Sequence, residues 1–358
     1  MVTSAIWSDV DNDSWVDLVV VGKWMAPTIF KNREGKQLEK IALNGFTQLN
    51  GLWNSIVAAD LDQDGYVDYV LGNQGINNKY RLDAQHPLKL YAKDFDKNGS
   101  IDPILSHYIE DAYKPYALRK PLLKQLKSLS KDYTNFAVYS TTTTDELLEK
   151  LDTDAMFTFE VNTLHHLILW NQAGTSFDID TLPLETQVSV GNGILLEDIN
   201  GDRQVDILFT GNDFATEVFN GINDAGTGMV ILNKGNRDWT RLTPTESNFY
   251  NDGNTRGLVK YFDAAKNQFQ YILARHGNTP ILHQLNEASP VDKTIRIPQN
   301  IATIKIDYQD GTSSEQELYL GEGYKQQGSR VLAITPTIRA VQGTTFSGKE
   351  MVLFGDNF

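Results

Sequence analysis

The sequence predicts an all-β chain built of repeated four-stranded antiparallel sheets, on three observations. An Asp/Asn-rich loop recurs four times, short apolar runs flank its copies, and glycine-containing turns close the segments that follow. A repeat decides the architecture before any single element does.

The four loops are Asp9-Val10-Asp11-Asn12-Asp13-Ser14-Trp15-Val16-Asp17, Asp60-Leu61-Asp62-Gln63-Asp64-Gly65-Tyr66-Val67-Asp68, Asp94-Phe95-Asp96-Lys97-Asn98-Gly99-Ser100-Ile101-Asp102 and Asp198-Ile199-Asn200-Gly201-Asp202-Arg203-Gln204-Val205-Asp206. Positions 1, 3, 5 and 9 of each carry Asp or Asn. Oxygen ligands at odd positions let a tight turn wrap one hard cation, Ca2+ by preference, and the backbone carbonyl at position 7 (Trp15, Tyr66, Ser100, Gln204) can add another. Position 8 is always apolar (Val16, Val67, Ile101, Val205) and is expected to point into a core. One such loop is as readily an ordinary Asx turn. Four copies with the same apolar position favour metal sites.

An EF-hand would place a bidentate Glu at position 12 and continue as a helix. Position 12 here is Val20, Leu71, Leu105 and Phe209. Leu18-Val19-Val20-Val21 and Ile207-Leu208-Phe209 follow their loops. Ile56-Val57-Ala58-Ala59 and Ile194-Leu195-Leu196 precede theirs. A short apolar run on each side of a turn is a β-hairpin. Gly22, Gly72 and Gly211 follow the exit strands. Further strands come next, Thr28 to Asn32 and Gly228 to Asn233, closed by turns at Gly35 and Gly235. The unit is a four-stranded blade, and the chain reads as a β-propeller, whole or in part, over 1–285.

Blades of this kind run roughly 40–60 residues. The interval from Asp9 to Asp60 suits one blade, that from Asp60 to Asp94 a trimmed blade, and that from Asp94 to Asp198 a blade plus an insertion. The insertion, about 110–155, reads as helical. Leu118 to Leu129 has helical apolar spacing with Pro121 in a first turn, and Thr144 to Leu151 looks like a capped helix. It is either a lid packed on one face or a partner-binding element. A fifth copy, Val259 to Leu273, keeps only Asp263 and Asn267 as possible ligands and predicts a metal-free hairpin. The tail, 290–358, reads as a small β domain: Ile301 to Tyr308 alternates, Asp310-Gly311 turns, and Glu315 to Leu320 returns.

These loops resemble the FG-GAP/VCBS repeats of integrin α-subunits and bacterial surface proteins. Trp7 to Met25, and Gly321-Glu322-Gly323-Tyr324 with Ser329-Arg330, resemble bacterial relatives of cartilage acidic protein, which add an ASPIC/UnbV domain. The resemblance implies an exported, calcium-stabilised propeller that binds a protein or glycan. It also implies Gly at loop position 6, from which Ser14 and Arg203 depart.

The 358 residues carry a net charge of −14, and the four loops hold 14 aspartates. That acidity argues against nucleic-acid binding, which needs a basic face. No apolar run reaches the roughly 18 residues of a membrane span. Cysteine is absent, which excludes disulfides and thiolate metal sites. The first residues contain no signal-peptide core, and the first loop begins at Asp9. A piece of a larger exported parent is therefore expected, extracellular, periplasmic or at the cell surface. No catalytic residue is assigned. The six histidines lack zinc spacing, and His165-His166 is expected in a strand with a structural role. The enzymatic alternative is a propeller-type polysaccharide lyase, needing a Lys, Arg or His base in a groove.

Overall fold

The computed structural model describes residues 1–42, 45–217, 219–266, 268–285, 293–319 and 329–355. Strands dominate it, as the hairpin pattern requires. β1 (Val2–Ser8), β2 (Asp17–Met25), β3 (Thr28–Asn32) and β4 (Leu38–Ile41) form an antiparallel meander, with β5 (Gly51–Leu52) pairing separately to β2. β6 (Ser55–Ala59) and β7 (Asp68–Gly72) begin a second sheet.

There the chain departs from the expected series. After β7 it leaves the second sheet and makes a separate one from β8 (Leu88–Lys93), β9 (Asp102–Ile109), β10 (Ala112–Pro115) and β11 (Phe157–Val161). The short helices α1 (Arg119–Gln125), α2 (Phe136–Thr141) and α3 (Thr144–Leu148) lie between β10 and β11. Only then do β12 (Leu167–Gln172) and β13 (Ser176–Thr181) return to complete the second sheet, β12 pairing with β7 through Leu167–Leu71 and Ile168–Val70. The Asp94 loop therefore belongs to an excursion within the second sheet and does not open a trimmed unit in series. The helices do not form an independent lid. Leu122, Leu126, Leu129 and Leu147 pack with Phe95 and Ile104 in one core, so helices and excursion sheet bury each other. The capped helix is as expected: Thr143 and Glu146 make a reciprocal capping box at the start of α3.

β14 (Gly193–Glu197), β15 (Asp206–Thr210), β16 (Met229–Asn233) and β17 (Trp239–Leu242) form the third sheet. After α4 (Pro244–Ser247), β18 (Thr255–Asp263), β19 (Gln268–Arg275) and β20 (Ile281–His283) form a three-stranded one. The first strands lie side by side, β1 against β6, β6 against β14 and β14 against β18. Three apolar cores fill the spaces between successive sheets, one around Ile6, Val21, Trp53 and Ile56, the next around Val57, Trp170, Ile207 and Phe209, and a third around Leu208, Val230, Leu258 and Leu273. No closed sheet forms among the described residues. The glycines after the exit strands are demanded by this stacking. A Cβ on Gly72 would fall 2.2 Å from the Gly191 carbonyl oxygen, and one on Gly211 2.0 Å from that of Val190.

β21 (Lys293–Arg296) and β24 (Val331–Ile334) pair. β22 (Ile301–Tyr308), β23 (Ser313–Glu317), β25 (Ile338–Thr345) and β26 (Glu350–Phe354) make the last sheet, with its own core around Ile301, Ile304 and Val341. The Asp310-Gly311 turn is where the alternation placed it, although β23 ends at Glu317, short of Leu320. Gly321 to Tyr324, and Asn267 of the fifth hairpin, lie outside the described residues. The hairpin itself is present as β18–β19. His165 and His166 precede β12 and are not in a strand. His166 is buried, its Nδ1 accepting from the Asn73 amide at 2.8 Å and its Nε2 donating to the Ser189 carbonyl at 2.9 Å.

Candidate metal centres

All four acidic loops join the first two strands of a sheet: β1 to β2, β6 to β7, β8 to β9 and β14 to β15. They share one set of backbone bonds. In the second loop Asp60 accepts from the amides of Asp64 (3.2 Å) and Gly65 (3.0 Å), Asp64 accepts from Tyr66 (2.8 Å), and Asp68 accepts from Leu61 (3.0 Å). The same bonds recur at Asp9, Asp13 and Asp17, at Asp94, Asn98 and Asp102, and at Asp198, Asp202 and Asp206. Side-chain oxygens at positions 1, 5 and 9, carboxylates except for the Asn98 amide, thus fold the turn around themselves.

Position 6 is left-handed in every loop, with φ of 89° at Gly65 and 90° at Gly99, and 70° at both Ser14 and Arg203. The two departures from Gly keep the loop outline at a cost in backbone strain. The core position is corrected. Val67 meets that expectation, 9% exposed within the core between the first two sheets, but Ile101 is 61% exposed, and Val16 and Val205 are only half-buried. Position 2 is the buried one throughout: Val10, Leu61, Phe95 and Ile199. The ninth-position amide bond turns the residue after position 1 inward, while position 8 sits on the turn's rim in every loop but the second.

The loops differ in what fills them. Asp60, Asp62 and Asp68 each bring an oxygen within 4.8 Å of the others, as do Asp94, Asp96 and Asp102. Asp62 Oδ1 is buried and has no hydrogen-bond partner. Arg237 approaches only its other oxygen, at 3.7 Å. Among the described residues no ion pair reaches Asp94, Asp96 or Asp102. These two loops fit a cation. Asp64 stays outside the second trio. In the fourth loop Asn200 donates to Asp202 Oδ2 at 2.9 Å, which draws two odd-position groups together. In the first loop Asp9, Asp11 and Asp13 converge, but the buried Lys31 ammonium already sits on Asp11, 2.8 Å from Asp13 Oδ2 and 3.5 Å from Asp17 Oδ2.

Burial pushes the carboxyls of Asp9, Asp60, Asp62 and Asp198 up, Asp17 and Asp206 to about 6 and Asp68 to about 7. A carboxylate held in this way is destabilised in its charged form, and a cation beside it reverses the effect. Burial would pull Lys31 down. Its bonds to Asp11 and Asp13 outweigh that and push it up to about 12.

Three asparagines that the loop pattern does not include complete the sites. Asn32, Asn171 and Asn233 end the third strand of their sheets, and each donates its backbone amide to the ninth-position Asp. The Asn171 side chain reaches back to the Val10 carbonyl, and that of Asn233 to Leu61, each stapling one sheet to the loop of the sheet before. Asn followed by a glycine turn, at Gly35, Gly174 and Gly235, is the sequence signal for them.

Three loops are tied into a row. Asn12 donates to the Gly65 carbonyl and Gln63 to the Arg203 carbonyl, position 4 to position 6 in both cases. Arg203 then binds Asp310 and Thr312 of the last sheet and stacks over Tyr308. Glu317 closes the other end, accepting from Ser8 Oγ and the Asp9 amide. The Asp94 loop stands apart, in the excursion.

Residues 9–71, which span the first two loops and the strands between them, match the family model of the FG-GAP-like repeat. The chain carries an FG-GAP-like repeat. None of the curated proteins compared with it matches. The matched stretch holds the Asn12–Gly65 link and both Asp9 and Asp60, the first two loops of the row.

Proposed function

We propose that the chain is a calcium-stabilised, propeller-type interaction module of an exported or cell-surface protein, binding a protein or glycan partner and catalysing no reaction. The observation that carries this reading is Asp62: a buried carboxylate oxygen without a partner, converging with Asp60 and Asp68 in a turn whose amides hold those two in place. Leaving such an oxygen unpaired costs about 1–3 kcal/mol or more, and a hard cation with oxygen ligands removes that cost. The radial succession of first strands β1, β6, β14 and β18 supports the propeller.

In the second loop Asp60, Asp62, Asp64 and Asp68 would hold the ion with the Tyr66 carbonyl. Asp94, Asp96, Asn98, Asp102 and Ser100 would do so in the third. Asp198, Asn200, Asp202, Asp206 and Gln204 would do so in the fourth, with the Asn200 amide turned. Bound calcium supplies charge neutralisation. The chain's own bonds, Asn12 to Gly65 and Gln63 to Arg203, pass that order from loop to loop. Extracellular modules bind calcium at about 10⁻⁴–10⁻³ M, and sites of that class suit a parent protein exported from the cytosol. Likeness of the tail to ASPIC/UnbV domains rests on Gly321 to Tyr324 and Ser329-Arg330.

Urea unfolding in EDTA and in millimolar calcium tests the metal reading: the midpoint rises with calcium, and an unchanged midpoint contradicts it. Incubating the protein with acidic polysaccharides tests the absence of chemistry. Unsaturated sugar ends, seen by ultraviolet absorbance, would establish the lyase alternative.

A further inference from the structure

Lys31 has no counterpart in the other sheets. It immediately precedes Asn32, whose backbone amide binds the ninth-position Asp17 at 2.7 Å. The residues in that place on β12 and β16 are Trp170, before Asn171, and Leu232, before Asn233. Both are buried and apolar. Among the described residues, only the first sheet sends a cation into its own loop. The side chain is 7% exposed, and its ammonium contacts Asp11, Asp13 and Asp17, which are positions 3, 5 and 9 of the repeat.

We propose that the Asp9 loop takes no divalent cation, because the Lys31 ammonium occupies the place where the other loops bind theirs. The inference rests on the calcium reading for those other loops. Three arguments support it. Lys31 donates to oxygens that a cation would need, whereas Asp62 Oδ1 in the second loop has no donor at all. Calcium could enter only by displacing a 7%-exposed ammonium from its three carboxylate partners, and breaking such a pair strands the displaced charge. The loop is also held from outside by Glu317, which accepts from Ser8 Oγ at 3.0 Å and the Asp9 amide at 2.9 Å. The backbone outline of a calcium loop is thereby kept without calcium.

The consequence is a division of labour along the row. The first sheet, and through Glu317 its junction with the last sheet, keeps its geometry at any calcium concentration. The second sheet, and the Gln63 link to the third, tightens only when calcium is present. The chain is then a metal-responsive module anchored on a metal-independent end.

Calcium titration calorimetry on the chelated full chain tests this with three variants. Asp11→Asn should leave the number of bound calcium ions equal to that of the wild type, and Asp62→Asn should lower it by one. Lys31→Thr, which removes the ammonium and opens its place, should raise the number by one. Chelated Lys31→Thr should also unfold at lower urea than the wild type, and calcium should close the gap. A count that falls by one in Asp11→Asn overturns the proposal, as does an unchanged count in Lys31→Thr. If Asp11→Asn does not fold, the Lys31→Thr count decides alone. If the wild type binds no calcium, the proposed function fails. The present inference is then decided by Lys31→Thr: a newly gained site supports it, and none overturns it.

Discussion

Asn171 is the residue whose loss should be felt most widely, because it joins two sheets and two loops with one side chain. It is 1% exposed. Its Nδ2 donates to the Val10 carbonyl at 2.8 Å and the Val67 carbonyl at 3.1 Å, and its Oδ1 accepts from the Gly174 amide at 2.8 Å. Asn171→Ala removes these three bonds and keeps the backbone amide bond to Asp68. Each bond contributes about 1 kcal/mol net, and buried partners left unsatisfied cost more, so the loss should be about 3–4 kcal/mol. Asn32→Ala is the internal control. Its Nδ2 donates to Val16 of its own loop at a part-buried site and its Oδ1 accepts from the exposed Gly35 amide, so about 1–2 kcal/mol is expected. Urea unfolding followed by circular dichroism, in EDTA and again in calcium, reads both variants. The Asn171→Ala loss should be nearly the same in both conditions, since the asparagine is not a ligand. A loss no larger than that of Asn32→Ala would refute the staple, and so would a loss seen only in calcium.

Other expectations follow from the same geometry. In EDTA, stability should fall as pH rises from about 4 to 7. Asp17 and Asp206 titrate near 6 and Asp68 and Glu317 near 7 in the folded chain, above their unfolded values, so the folded state holds protons that the unfolded state has lost. His166, pushed down to about 4 by burial, acts in the opposite direction below 6.5, as do His107, His165 and His283, also lowered by burial. Asp9, Asp60, Asp62, Asp198 and Glu197, raised by burial, add to the first four carboxyls and outnumber the histidines. Urea midpoints against pH should therefore slope downward in EDTA, and calcium should flatten the slope; a flat profile in EDTA contradicts the burial account. Phe95→Ala, emptying position 2 of the third loop, should cost about 3–5 kcal/mol, while Ile101→Ser at the exposed position 8 should change stability by less than about 0.5 kcal/mol; equal effects would return position 8 to the core. Glu317→Ala should destabilise more than Arg203→Ala, because the first strands a buried Asp9 amide and the second loses a half-exposed ion pair; the reverse order in urea unfolding would refute that reading of the tail's attachment.

The loops were legible because their chemistry is local. The amide-to-carboxylate bonds that fold the Asp60 to Asp68 turn on itself all lie within nine residues, so the spacing of oxygens and the apolar flanks suffice to find it. The excursion was not legible from the same pattern. The Asp94 loop keeps Gly99 at position 6 and resembles the second loop more closely than the first does. Nothing inside it reveals that β12 will return to pair with β7. That pairing joins Leu71 to Leu167, and loops alone do not encode it. Lys31 was hidden for another reason. A lysine on a strand is ordinarily solvated, and only the fold of the β2–β3 hairpin turns this one into the acidic turn. The error at position 8 was one of geometry. An apolar residue beside a turn anchors the core at Val67 alone, while Val10, Leu61, Phe95 and Ile199, equally apolar and equally regular, carry that role in every loop.

The claim on which the rest depends is that the second loop binds calcium. Titration calorimetry of calcium into the chelated wild-type chain, repeated with Asp62→Asn, measures it directly. Saturable heat with one fewer site in Asp62→Asn, and a urea midpoint that calcium raises less in that variant, is the result expected. At calcium ten times the dissociation constant, the lost site should remove about 1.4 kcal/mol of calcium-dependent stability. No heat in the wild type, or the same number of sites in Asp62→Asn, would contradict the account.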